Sequence, residues 1–115
     1  MKIRVAEEVP ASAVEAPGAE GVQIRLLIHN AEGAENFHMR HFTVSPGGHT
    51  PLHTHPWEHE VFLLEGSGVV VTAEGEVPLG PGQCVYVAPD EDHQFRNTGK
   101  DELKFLCLVP KSGSK

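Results

Sequence analysis

Residues 47–66 read GGHTPLHTHPWEHEVFLLEG. In an extended chain, side chains two apart share a face, with Cα atoms about 6.5–7 Å apart. His53 and His55 meet that spacing. Two imidazoles so placed converge on an ion between them, with metal–nitrogen distances of about 2.0–2.1 Å for zinc. Pro56-Trp57 then makes a corner, and His59 enters the run HEVFLL, in which Val61 and Leu63 share its face. A lone histidine is more often a structural residue than a ligand. An H-x-H pair with a third histidine four residues on is different, because clustered imidazoles suit a dry core poorly. With His93 arriving from a separate strand, His53, His55, His59 and His93 are the expected ligands of one divalent metal ion.

Outward from this stretch, short apolar runs alternate with turn residues. Residues 22–28 (VQIRLLI) and 37–44 (FHMRHFTV) precede it as predicted strands, and Pro46-Gly47-Gly48 reads as a break. Residues 59–64 run to a hairpin signal at Glu65-Gly66-Ser67-Gly68. Then come 69–73 (VVVTA), a turn at Glu74-Gly75-Glu76, a corner at Gly80-Pro81-Gly82 and 84–88 (CVYVA). The acidic loop Pro89-Asp90-Glu91-Asp92, the segment from His93 to Asn97, and 103–109 (LKFLCLV) complete the set. Only residues 6–16 have the composition for a helical turn, and Pro10 limits it. The tail Lys111–Lys115 is polar, small and expected to fray. This spacing predicts an all-β antiparallel sandwich or barrel. A chain of 115 residues is expected to be one domain, 1–115, with segment 1–20 packing on the barrel.

Composition narrows the function. The formal net charge is −7, which argues against nucleic acid or an anionic membrane as partner, since both need a basic patch. There is no long apolar run and no apolar leader, so the expected location is cytoplasmic. Cys84 and Cys107 form no C-x-x-C pair and are expected to stay separate thiols. Histidine is the outlier: eight in 115 residues, with no consecutive run.

The stretch from Gly47 to Gly66 also resembles the first cupin motif: a glycine, five residues, H-x-H, a third ligand, then a glycine. Gly82, His93 and Asn97 match the register of the second motif, with Pro89 one place late and Asp90 at the usual glycine position. Two motifs in register, over 47–66 and 82–97, imply a cupin double-stranded β-helix, or jelly-roll, barrel. Many cupins carry a glutamate as the third ligand. Here that position is His59, and Glu60 follows. Strand alternation cannot turn both inward. HPWEHE is most similar to small manganese-binding monocupins with four histidine ligands, which favours His59. The family's variable gap keeps Glu60 as the alternative. Four neutral imidazoles leave a divalent ion its full charge, so a four-histidine site is the stronger Lewis acid. Imidazole sets accept Mn, Fe, Zn, Ni or Cu; the resemblance implies manganese first. It also implies a homodimer through an outer sheet face and the N-terminal segment; Phe62 and Leu64, outward if His59 is inward, fit such a contact.

Other residues are candidates for a pocket. Arg40 shares a face with His38 and Phe42 and is a candidate anchor for a substrate carboxylate. Cys107 shares a face with Phe105, either as packing or on the pocket wall. Cys84 reads as packing, His29 as structural or exposed, and His49 as surface or pocket mouth. Trp57 is a lid or interface residue. A member of Asp90–Asp92 is placed to bond the second nitrogen of a ligand histidine. The expected function is a metal-dependent oxidoreductase of the dioxygenase type acting on a small organic substrate. The alternatives are a metal-dependent isomerase or lyase, with His38 as base, and a non-catalytic small-molecule-binding or sensory module.

Overall fold

The computed structural model describes residues 1–113. Among them are nine strands: β1 (Ser12–Ala13), β2 (Glu20–Ile28), β3 (Phe37–His49), β4 (His59–Glu65), β5 (Gly68–Thr72), β6 (Gly75–Leu79), β7 (Cys84–Val87), β8 (Gln94–Asn97) and β9 (Leu103–Pro110). Every pairing is antiparallel, and the strands follow the order β6-β5-β8-β3-β9-β4-β7, with β2 also on β3 and β1 on β2. This is the cupin jelly roll. Among the described residues no helix is long and apolar enough to cross a membrane. The remaining regular structure is three single 3₁₀ turns, at Ala6–Glu8, Asn30–Glu32 and Lys111–Gly113.

β3 organises the barrel. Its residues 37–44 pair with β9, while His49 at its far end pairs with Arg96 of β8. The strand therefore passes from the β9 side of the curled sheet to its β8 side. Pro46-Gly47-Gly48, read from sequence as a break, lies inside it. A strand that bends in this way tolerates a proline and glycines where a flat central strand would not. The bridge His53↔His93 prolongs the β3–β8 side beyond the strand ends.

Alternation sets the core. β4 and β9 bury every second residue: His59, Val61 and Leu63 on one, Leu103, Phe105, Cys107 and Val109 on the other. Of these, Val61, Leu63, Leu103, Phe105 and Cys107 form one apolar cluster with Val22, Val44, Val70, Leu79, Val87 and Phe95. Gly66 closes the β4–β5 turn at φ 86°, where a Cβ would meet the Glu102 carbonyl oxygen at 2.4 Å. Only glycine fits that corner.

The N-terminal segment is bound across β2. Arg25 donates to the carbonyl oxygens of Glu7 (3.0 Å) and Val9, and Arg4 donates to those of Leu26 (3.1 Å) and Leu27 (2.6 Å). Arg4 also pairs with Glu32 at 3.1 Å. The helical turn is confined to Ala6–Glu8, ahead of Pro10, and the segment then enters β1. Of the tail expected to fray, 111–113 form a turn, and residues 114 and 115 lie outside the described residues.

Candidate metal centre

Three local devices bring the histidines together. The H-x-H segment is tied to the loop before β8 by reciprocal main-chain bonds between His53 and His93, both 3.2 Å. The amide of Asp90 donates to the His55 carbonyl oxygen at 2.8 Å. Asp90 reaches that position with φ 63°, a left-handed conformation that explains why a glycine is usual there. On β4, alternation buries His59 and leaves Glu60 exposed.

The ring nitrogens converge. Single ligand atoms of His53, His55 and His93 all lie within 4.8 Å of one another, so this trio could hold a metal ion. His59 joins through His55, with their Nε2 atoms 2.5 Å apart. At that separation two lone pairs need a cation or a proton between them.

Hydrogen bonds on the far side of the rings fix which nitrogen faces inward. Nδ1 of His55 lies 2.9 Å from the Trp57 carbonyl oxygen, and Nδ1 of His93 lies 2.9 Å from that of Glu91. A carbonyl only accepts, so each Nδ1 carries the proton and each Nε2 offers its lone pair. On the far side of the His59 ring, Nδ1 lies 3.0 Å from Cys107 Sγ. The acidic loop thus serves His93 through the Glu91 main chain, while the Glu91 carboxylate accepts from the Ala88 amide at 3.0 Å.

Burial holds His53 and His55 below the ordinary imidazole value; the rings of His93 and His55 add to it at His53, and the Trp57 carbonyl opposes it at His55. Burial, His55 and then Arg40 push His59 down to about 3. Neutral imidazole is the form that binds a metal, so the donor set suits a divalent cation.

The histidines open onto a cavity of about 190 Å³. His53, His59, His93, Arg40 and Cys107 line it together with Phe42, Phe95 and Phe105, and Val14 and Ala16 reach it from the N-terminal segment. Arg40 Nη2 donates to Cys107 Sγ at 3.2 Å, which links Arg40 through the thiol to His59. Burial raises the Cys107 thiol pKa, and Arg40 opposes the rise.

The remaining sequence candidates fall as follows. Arg40, Cys107 and Phe105 line the cavity, and His38 does not. His38 is fully buried opposite Val109, with its ring 4.3 Å from that of His29 and no hydrogen-bond partner for either ring nitrogen. His49 is half-buried, 3.7 Å from the Glu20 carboxylate. Trp57 stacks on His55, with centroids 4.5 Å apart and planes within 5°. Cys84, read as packing, is exposed, because it lies on the outer face of β7 opposite exposed Phe62; both cysteines are free. Sequence reasoning did not find Phe42, Phe95, Val14 or Ala16 as wall residues. Alternation from Arg40 and His93 signals the first two; nothing local signals the others.

Residues 40–109 match the model of the cupin domain. The chain belongs to the cupin family. Among solved structures, this cupin is similar to the polyketide cyclase RemF from Streptomyces resistomycificus, with a TM-score of 0.92 and 36% identity over 96% of this chain and 80% of that one. Among curated proteins it is 35% identical, over 62% of its own length and 46% of the relative's, to 1-methylthio-D-xylulose 5-phosphate methylsulfurylase of Rhodospirillum rubrum. It is 33% identical, over 76% of its length and 65% of the relative's, to L-ectoine synthase of Bordetella petrii. The first curated relatives are matched over 38–54% of their own length, so this cupin spans about half of them.

Proposed function

We propose that this cupin is a metal-dependent enzyme in which His53, His55, His59 and His93 hold one divalent cation and the adjoining cavity binds a small organic substrate. The observation that carries this reading is the trio His53, His55 and His93, whose ligand atoms lie within 4.8 Å of one another, with Nδ1–H bonds to carbonyl oxygens that leave the Nε2 lone pairs of His55 and His93 free. The exposure of Glu60 supports His59 as the fourth ligand. Neutral imidazoles do not choose among Zn, Fe, Ni, Cu and Mn; manganese, suggested by the four-histidine pattern, is the first ion to test.

The reaction we favour is non-redox: cyclisation, isomerisation or a lyase step at a substrate carbonyl. When bound, the cation supplies Lewis acidity to a carbonyl oxygen. Phe42, Phe95 and Phe105 exclude water from that oxygen's surroundings, and Arg40 offers a fixed positive charge. The wall carries no carboxylate among the described residues, so a proton leaving the substrate must go to an imidazole, to the Cys107 sulfur or to solvent. The likeness to a polyketide cyclase at 36% identity supports this class. The apolar wall also suits dioxygen, which keeps the dioxygenase as the second reading.

The test is metal analysis of protein purified without added metal, followed by turnover of 1,3-dicarbonyl compounds under argon and in air. About one divalent ion per chain and conversion under argon are expected. Conversion only in air, with oxygen uptake, selects the dioxygenase. A chain without metal overturns both. A homodimer through the outer sheet face, where Phe62 and Tyr86 are 43% and 57% exposed, is part of this proposal. Light scattering is expected to give twice the chain mass, and half of that for Phe62→Asp.

A further inference from the structure

We propose that the cavity is built for a small, largely apolar organic anion whose charged group is received by Arg40. This rests on the functional reading above and names the substrate class of the same site.

Arg40 stands on the inner face of β3, opposite Cys107 in the register. Apart from the histidines, it is the only acidic or basic side chain on the cavity wall among the described residues. A guanidinium keeps its charge at any physiological pH and offers five N–H donors. In this protein it meets one side-chain acceptor, the Cys107 sulfur at 3.2 Å, and sulfur accepts weakly. Its Nε is buried without a hydrogen-bond partner. No carboxylate among the described residues lies within 4.0 Å of the guanidinium. The Phe42 ring supports the group at 5.2 Å, which steadies it without supplying an opposite charge. A cation so placed has given up part of its hydration and has no counter-charge within reach.

The metal side of the cavity has the same deficit. Its imidazoles are neutral and Glu60 is turned out, so a divalent ion there keeps both charges. Three positive charges then face one space with no protein carboxylate on its wall. An anion entering that space gains from both, and a neutral ligand gains from neither. The rest of the wall is aromatic and aliphatic, which fits a ring or a short alkyl body. The volume of about 190 Å³ falls below the roughly 300–1,000 Å³ of pockets for drug-sized ligands. The part of the ligand that enters is therefore about one ring in size. A carboxylate, phenolate or enolate on such a body is the class this geometry selects.

The experiment is calorimetric titration of the zinc-loaded full chain with benzoate and with its neutral isostere benzamide, zinc content being measured on each sample. Benzoate is expected to bind at least ten-fold more tightly. Arg40→Met is expected to cut the preference for benzoate at least three-fold at unchanged zinc content, the remainder being the metal's share. An undiminished preference in Arg40→Met would overturn the proposal, since the metal alone would then account for it. So would equal affinities in the zinc-loaded wild type. Should Arg40→Met lose its thermal transition, Arg40→Lys decides. It is expected to keep the preference with weaker benzoate binding, and unchanged affinity would contradict a role for the guanidinium. A chain that takes up no zinc yet shows an Arg40-dependent preference would sink the metal-centre reading and leave this one standing.

Discussion

The interior of the barrel has two ends built on the same three strands. From the open end inward, β3 presents Arg40, Phe42 and Val44, β9 presents Cys107, Phe105 and Leu103, and β4 presents His59, Val61 and Leu63. At the closed end Val44, Leu63 and Leu103 have no exposed surface and belong to the apolar cluster. At the open end the side chains are held by directional bonds: His55 and His93 to carbonyl oxygens, His59 to a sulfur. One end holds by packing, where lost volume costs stability directly. The other is a set of aimed groups, and its loss should cost ligand binding before it costs the fold.

The sharpest way to break that contrast is a pair of truncations. Leu63→Ala is expected to destabilise the protein by about 2–5 kcal/mol in denaturant unfolding, with metal still bound by the folded fraction. His93→Ala is expected to abolish stoichiometric metal binding while costing the metal-free chain less than about 1.5 kcal/mol. If His93→Ala unfolds the barrel as Leu63→Ala does, the two ends are not distinct. Gly66→Ala comes next, because its left-handed φ and the Glu102 carbonyl both oppose a Cβ. A loss of about 1–3 kcal/mol is expected, again without effect on the site.

Acid separates the ends as well. His29, His41, His53, His55 and His59 all have folded pKa values below the ordinary imidazole value, for each of which burial is the leading cause. The unfolded chain therefore binds more protons once the pH falls below about 6.5. Stability of the metal-free protein is expected to be complete above that pH and to fall as it drops toward the folded values. A thermal midpoint that rose on acidification from pH 7 to 5 would contradict the neutral imidazole cluster. The smallest effect concerns Asp90. Asp90→Gly is expected to stay within about 0.5 kcal/mol of wild type, and Asp90→Val to cost about 1–2 kcal/mol, both read as shifts in the thermal midpoint.

Much of this was legible in the sequence, for reasons that differ by residue. The alternation of HEVFLL placed His59 inside and Glu60 outside, because a strand with one buried face has only one workable register. The substitution of Asp90 for the usual glycine was legible as a departure, but its positive φ was not read from it. Other features were not legible. β6 (Gly75–Leu79) was missed because it contains Glu76 and Pro78, and its place at the end of the sheet is what lets a proline pair with Val69. The strand through Pro46-Gly47-Gly48 was missed because a bend within a strand and a chain break share the same local composition. The stacking of Trp57 on His55 and the approach of Val14 and Ala16 to the cavity depend on tertiary packing that no local pattern encodes.

The central claim is that one ion sits among four imidazoles, with His59 rather than Glu60 as the ligand from β4. Metal-to-protein stoichiometry in His59→Ala and Glu60→Ala, set against the wild type, tests it most directly. The account predicts about one ion per chain in wild type and in Glu60→Ala, and its loss or a large drop in affinity in His59→Ala. Full metal content in His59→Ala together with loss in Glu60→Ala would contradict it.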